Sequence, residues 1–148
     1  MSWPRTWRSR RPEWSREHLV RRVSIVLVAD DDDDIRHLIG LKLRRAGHVV
    51  EVAANGVEAL DRARRTRPDL IVLDVMMPGK SGIEVTRELA LDGALHDVPV
   101  LLLTALASTQ DVADGLAAGA VAYVRKPFSP SELVGRVEEM LRGTTLGG

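Results

Sequence analysis

Residues 25–39 read IVLVADDDDDIRHLI. Five apolar or small residues lead directly into five consecutive aspartates at 30–34, and core-type residues resume at Ile35. Like charges repel one another, so a run of this kind is usually a solvated tail or loop. The apolar run before it is short and continuous, as in a strand that is buried on both faces. The stretch therefore predicts a buried strand, then a charged rim, then a helix.

The rest of the chain repeats this alternation of strand and helix. Apolar runs predict strands at 23–29, 48–53, 69–75, 98–105 and 121–125. Helical spacing of apolar residues predicts helices at 35–46, 56–67, 82–93, 108–120 and 129–142, the last capped by Ser129. Five strands alternating with five helices predict an α/β fold: a doubly wound five-stranded parallel sheet with helices on both faces.

Polar side chains stand where the predicted strands end. Asp30 and Asp31 follow the first strand, Asp74 and Thr104 stand at the ends of the third and fourth, and Lys126 follows the fifth. In open α/β sheets this carboxyl edge is where ligands bind. Clustered carboxylates need a cation to offset their charge, and an all-oxygen ligand set favours Mg²⁺ over Zn²⁺. A carboxylate nucleophile beside a lysine and a hydroxyl suits phosphoryl transfer through an acyl phosphate.

Over roughly residues 23–142, the sequence resembles the receiver domain of bacterial two-component response regulators. The matching motifs, in order, are VLVADDDDDIR (26–36), LIVLDVMMPGKSG (70–82), LLLTA (101–105) and YVRKPF (123–128). Each motif alone is weakly specific, but their joint order and spacing are highly specific. The resemblance implies a flavodoxin-like sheet with strand order 2-1-3-4-5. It also implies a phosphorylation-driven signalling switch, which is not a turnover enzyme.

The resemblance assigns a phosphoacceptor and a set of metal ligands. Asp74 matches the phosphoacceptor. Asp30, Asp31, Asp74 and the backbone carbonyl of Met76 match the ligands of a Mg²⁺ cofactor. Met76 and Leu106 match positions beside the path of the water molecule that removes the phosphoryl group. Both are apolar here, so slow spontaneous dephosphorylation is expected.

The resemblance also assigns the residues that surround and sense the phosphoryl group. Thr104, Ala105 and Lys126 match its binding positions, and Thr104 and Tyr123 match the pair that moves on activation. Packing at an edge strand is the alternative role for Tyr123. The bond between Lys126 and Pro127 matches one that is usually cis in the family, which proline tolerates.

Only two of the five aspartates are needed as metal ligands. Asp32, Asp33 and Asp34 are left at the start of the first helix, where acids accept from free backbone N–H groups and oppose the helix dipole. The family often has proline where Asp33 stands. A calcium-binding loop is excluded because Ile35 occupies the position that would need glycine.

Two other functions are compatible with parts of this pattern. A Mg²⁺-dependent phosphohydrolase that forms an aspartyl-phosphate intermediate would need an acid/base group where Met76 stands, and usually a cap insertion over the site. An inert interaction domain on the same fold would be expected to lack Asp74 or Lys126, and both are present.

Composition sets the outer limits. The 148 residues include no cysteine, which excludes a disulfide framework and thiolate metal sites. No apolar run approaches the roughly 18 residues of a membrane span, and a secretory signal is lacking, so a cytoplasmic location is expected. Residues 1–22 hold seven arginines against two glutamates (+5), whereas residues 23–148 hold 14 basic and 19 acidic side chains (−5).

These patterns divide the chain into three parts. Residues 1–22 are predicted to be a basic, flexible N-terminal arm, 23–142 the receiver domain and 143–148 a disordered tail. The arm carries tryptophans and could contact nucleic acid weakly, although a plain extension is favoured. The receiver itself is not expected to bind nucleic acid or a membrane.

The resemblance finally implies the kinds of partner. A sensor histidine kinase or a phosphotransfer protein would donate the phosphoryl group. Phosphorylation would then change partner affinity at the face formed by the fourth helix, fifth strand and fifth helix. The output would pass through an unknown partner or a homodimer that forms on phosphorylation.

Overall fold

A five-stranded parallel sheet forms the centre of the computed structural model, which describes residues 23–105 and 109–146. The strands are β1 (Ile25–Ala29), β2 (Val49–Ala53), β3 (Leu70–Asp74), β4 (Val100–Thr104) and β5 (Ala122–Arg125). Their spatial order is β2-β1-β3-β4-β5, and every neighbouring pair is parallel. The predicted fold class and strand order are therefore confirmed.

Helices cover both faces of this sheet. They are α1 (Asp33–Arg45), α2 (Gly56–Thr66), α3 (Gly82–Ala90), α4 (Thr109–Ala118) and α5 (Pro130–Leu146). Alternate residues of a strand point to opposite faces of the sheet, so β1 contributes side chains to two hydrophobic clusters. Its Val26 and Val28 join the cluster under α1 and α5, whereas Leu27 and Ala29 join the cluster under α2 and α3. The continuous apolar run of β1 is thus buried on both sides.

Side chains at the helix starts supply the missing hydrogen bonds of the first turns. Asp32 caps α1 by accepting from the backbone N–H groups of Asp34 and Ile35. Asn55 caps α2 in the same way, and Ser81 forms a reciprocal capping box with Glu84 at α3. The predicted cap of α5 is confirmed, since Ser129 Oγ accepts from the N–H of Glu132 at 3.1 Å.

The structure corrects two predicted ends. Helix α5 runs to Leu146, so residues 143–146 of the predicted disordered tail are helical. Gly143 lowers helix propensity, but the segment contains no proline that would forbid a helix. Helix α3 ends at Ala90 and not at Gly93, because the Asp92 carboxylate accepts from the N–H of Ala94 at 2.8 Å and favours a turn.

Several sequence predictions concern parts of the chain that the structure does not describe. The basic arm at 1–22, Leu106 and the last two residues lie outside the described residues. Across 23–105 and 109–146, no helix combines the length and the apolar character that crossing a membrane demands.

Gly82 sets how closely α3 approaches the end of β3. A Cβ atom at this position would lie 2.3 Å from the backbone oxygen of Asp74 and 3.1 Å from Val75 Cα. The N–H of Gly82 also donates to the carbonyl of Val75 at 2.9 Å. Backbone atoms cannot rotate away as a flexible side chain can, so only glycine fits here.

We therefore expect Gly82→Ala to lower the free energy of unfolding by about 1–3 kcal/mol through overpacking. Gly135→Ala is the matched control, because Gly135 is exposed inside α5 and a Cβ there meets nothing within 4 Å. Alanine should stabilise that helix by about 0.5–1 kcal/mol. Urea denaturation of the two variants and the wild type measures both effects. Equal stabilities of the two variants would show that the contact with Asp74 is not tight.

Candidate functional site

The carboxyl ends of four strands bring polar side chains together at one edge of the sheet, here called the rim. Asp30 follows β1, Asp74 ends β3 and Thr104 ends β4, and their exposures are only 0%, 4% and 4%. Lys126 follows β5, and its N–H donates to the Thr104 carbonyl at 2.8 Å. Buried polar groups of this kind are costly unless they are paired. The buried carboxylates at this edge therefore need partners that compensate their charge.

Lys126 supplies the pairing for two of these carboxylates. Its Nζ lies 3.0 Å from Asp30 Oδ2 and 3.1 Å from Asp74 Oδ2, and its side chain is 17% exposed. The peptide bond between Lys126 and Pro127 is cis, as predicted. The sequence prediction that β1, β3 and β5 deliver these three residues to one point is confirmed.

Asp31 adds a third carboxylate at the same place. One oxygen each from Asp30, Asp31 and Asp74 lies within 4.8 Å of the others, with Asp31 exposed and the other two buried. Mg²⁺ accepts oxygen ligands at about 2.1 Å and is usually held by one or two carboxylates together with water. The donor set therefore fits a hard divalent cation, with Asp31 on the solvent side.

The pKa values of the paired groups record the crowding of charge. Burial, and then the neighbouring carboxylate of Asp30, raises the pKa of Asp74 from 3.8 to about 6, although Lys126 and the N–H of Met76 oppose the rise. Burial alone would lower the pKa of Lys126, but hydrogen bonds and attraction from Asp30 and Asp74 outweigh it and raise the pKa. Lys126 therefore offsets only part of the cost of burying Asp74 in its ionised form beside Asp30.

The remaining aspartates of the run have separate structural roles. Asp32 caps α1, and its own N–H donates to Asp30 Oδ1 at 2.9 Å. Asp33 forms an ion pair with Arg36, and Asp34 lies exposed in the first turn. The prediction that these three residues begin α1 is confirmed. Arg36 was not among the residues predicted from the sequence. Its Nη1 donates to the Asp30 carbonyl at 2.8 Å, and its spacing of three residues from Asp33 was the available signal.

The other predicted site residues lie around this centre. The N–H of Met76 donates to Asp74 Oδ1 at 3.3 Å, and its side chain is largely exposed. Ala105 follows Thr104 and is exposed. Tyr123 is half-buried on β5, opposite Leu102 of β4, and contacts the cluster under α2 and α3. Met76 and Ala105 thus follow the ends of β3 and β4, and Tyr123 lies within β5. The roles assigned to these residues stay predictions.

Comparison with known proteins agrees with this arrangement. Residues 26–138 match the family described as the response regulator receiver domain. The chain is 44% identical over 117 residues to the DNA-binding response regulator MtrA of Mycobacterium tuberculosis, a match that covers 79% of this chain and 50% of MtrA. It therefore spans about half the length of the curated relatives it matches.

Solved structures show the same fold. The chemotaxis protein CheY4 of Vibrio cholerae is 35% identical with a TM-score of 0.76, and the match covers 80% of this chain and 98% of CheY4. The BeF₃-activated DrrB receiver domain is 34% identical with a TM-score of 0.74, covering 81% and 98% of the two chains.

The raised pKa of Asp74 predicts a particular pH dependence of stability. The folded protein holds the proton of Asp74 more tightly than the unfolded chain does, so the free energy of unfolding falls as pH rises from about 3.8 to about 6. Asp74→Asn cannot ionise. In metal-free protein at about pH 7.5 it should be more stable than wild type by about 1–3 kcal/mol, and the difference should shrink toward about pH 4.

Denaturant unfolding in the presence of a chelator at several pH values measures this difference. Asp34→Asn is the control, since Asp34 is exposed and its replacement makes the same change in charge. A stability difference between Asp74→Asn and wild type that stays constant with pH would contradict the assignment of the strained charge to Asp74.

Proposed function

The chain belongs to the response regulator receiver family, and from that premise we propose that it is a phosphorylation switch with Asp74 as phosphoacceptor. The observation that carries the proposal is the double contact of Lys126 Nζ with Asp30 and Asp74, with the Asp31 carboxylate beside them. A structural ion pair would need only one carboxylate. Two carboxylates on one lysine, with a third carboxylate beside them, favour a site that receives a cation and an anionic group.

The residues of the rim suit nucleophilic attack on phosphorus. Above about pH 6 the Asp74 carboxylate is mostly ionised and can attack the phosphoryl group of a donor as the donor bond breaks. The Lys126 ammonium and the Thr104 hydroxyl would bind phosphoryl oxygens, and the small side chain of Ala105 would leave access for the donor. Asp30, Asp31, Asp74 and the Met76 carbonyl would hold Mg²⁺. When bound, Mg²⁺ would neutralise charge on the transferred group.

The signal would leave the rim through β4 and β5. Thr104 stands beside Arg125 in the register of these strands, and Tyr123 stands beside Leu102. Attraction of Thr104 toward a phosphoryl group on Asp74 would open space for Tyr123 to turn inward. Tyr123 lines a surface groove together with exposed Leu116 and Val121.

This groove is the proposed face for partners. It lies across α4, β5 and α5, so a shift of Tyr123 would change its shape and its partner affinity. The phosphoryl donor would be a sensor histidine kinase or a phosphotransfer protein in the cytoplasm, and the output would be an unidentified partner or a homodimer. The acidic balance of residues 23–148 disfavours contact of the receiver itself with nucleic acid.

A phosphohydrolase is the less favoured function. Such an enzyme needs a general acid/base two residues after its nucleophile, and Met76 has no titratable group. The relatives are named as response regulators, which are signalling proteins.

The direct test is phosphorylation by a small phosphodonor with Mg²⁺. Intact mass should show the gain of one phosphoryl group in the wild type, because Asp74 is a competent nucleophile. Asp74→Asn should show none, whereas Asp34→Asn, with the same loss of charge, should be labelled like the wild type. Peptide mapping should place the label at residue 74. Equal labelling of wild type and Asp74→Asn would refute the assignment.

Metal binding provides a second test. Asp31→Asn removes a carboxylate that faces the common point, so Mg²⁺ affinity should fall roughly tenfold or more, equivalent to about 1.4 kcal/mol. Asp34 stands in the first turn of α1 and is not part of the group of three carboxylates, so Asp34→Asn should change the affinity only slightly through long-range charge. Calorimetric titration of the two variants measures this contrast. Equal losses would show that the run of aspartates acts by total charge and not through specific ligands.

A further inference from the structure

The connection between β1 and α1 is fastened by an arginine that none of the assigned roles uses. Arg36 Nη1 donates to the Asp30 carbonyl at 2.8 Å, and its Nη2 contacts the Asp33 carboxylate. Its side chain is only 19% exposed, although it is charged. Asp30 is fully buried and lies beyond the last residue of β1. A buried carbonyl at a strand end needs a donor, and Arg36 provides it.

The contact has a geometric consequence for the next residue. The carbonyl of Asp30 and the N–H of Asp31 belong to one planar peptide group, so fixing the carbonyl fixes the orientation of that whole plane. On the other side of Asp31, the N–H of Asp32 donates to Asp30 Oδ1 at 2.9 Å. The backbone of Asp31 is therefore held from both sides.

Asp31 depends on this support more than the other two carboxylates do. Asp30 and Asp74 are buried and paired with Lys126, whereas Asp31 is exposed. Burial therefore does little to restrict the direction of its side chain. The backbone contacts on either side remain to aim its carboxylate at the point that it shares with Asp30 and Asp74.

We propose that Arg36 is a positioning residue that aims the Asp31 carboxylate at the cation site. The proposal rests on the proposed function, since it concerns the affinity of that site for a divalent cation. Arg36 acts through the peptide plane that it holds and does not touch the ion. Asp33 is 85% exposed, so its ion pair with Arg36 is screened by water and contributes little. The bond to the Asp30 carbonyl carries the effect.

The test separates positioning from simple electrostatics by the sign of the effect. Arg36→Met keeps an unbranched side chain and removes the guanidinium. If Arg36 only added positive charge near the site, its removal would strengthen Mg²⁺ binding. If it positions Asp31, calorimetric titration should show Mg²⁺ binding weakened roughly tenfold, as for other contacts that orient metal ligands. Arg36→Lys keeps the positive charge but loses the contact through two nitrogens. The Mg²⁺ affinity of this variant should therefore lie between those of the wild type and Arg36→Met.

A second readout does not involve the metal. In metal-free protein, the N–H of Asp32 should exchange with solvent faster in Arg36→Met, because the turn that holds it is loosened. Arg44→Met is the matched control: Arg44 lies on the same helix and contacts the Val50 carbonyl on β2. It should leave both the Mg²⁺ affinity and the exchange of Asp32 unchanged.

Each outcome decides one point. Wild-type binding of Mg²⁺ with equal or tighter binding by Arg36→Met overturns the role of Arg36 and leaves the proposed function intact. Absence of Mg²⁺ binding by the wild type overturns the cation site itself. In that case, unchanged exchange of the Asp32 N–H in Arg36→Met would separately overturn the role of Arg36. If Arg36→Met does not fold cooperatively, the same two measurements are made on Arg36→Lys. A Mg²⁺ affinity and an Asp32 N–H exchange rate equal to those of the wild type would overturn the proposal.

Discussion

The contact of one ammonium group with two buried carboxylates links the ends of β1 and β3 to the residue that follows β5. Lys126 reaches Asp30 and Asp74 at about equal distances, across the ends of three strands. Breaking a buried pair by removing one partner leaves an uncompensated charge, which is costly. The sheet must therefore place β1, β3 and the residue after β5 in a fixed relation. Burial, and then repulsion from Asp30, still raises the pKa of Asp74, so Lys126 only partly offsets the cost of ionising that carboxyl group.

The parallel sheet meets this requirement by its connectivity. β1 and β3 are neighbours at the centre of the sheet, so Asp30 and Asp74 end adjacent strands and share one lysine. The apolar residues before them enter clusters on both faces of the sheet, and this burial holds both strands in place. Gly82 then lets α3 approach the backbone of Asp74 closely. Core packing and loop geometry thus act together on the position of one carboxylate.

The sequence predicted those parts that follow from local pattern, and it failed where several weak preferences compete. The five apolar runs predicted the strands, and the polar residues at their ends predicted the residues of the rim. The strand order came from the family resemblance. The end of α5 was misplaced because Gly143 weakens a helix without stopping it. Arg36 was missed because its main partner is a backbone carbonyl, which no residue type announces. Contacts to the backbone are specified by the folded path and cannot be read from spacing alone.

On the proposed function, phosphorylation would change the charge balance at the rim, to which Asp30 and Asp31 of the aspartate run contribute. Three ionised carboxylates and one ammonium leave a net charge of −2, which one divalent cation would neutralise. On the proposed function, phosphorylation replaces the single negative charge of Asp74 with an acyl phosphate that carries nearly two. The neutral balance is then lost by about one charge at a site of low exposure. On the proposed function, hydrogen-bond donors would move toward the phosphoryl group, and the Thr104 hydroxyl on β4 would be one of them. On the proposed function, a rearrangement near β5 and Tyr123 would follow from this movement, while the sheet itself would stay unchanged.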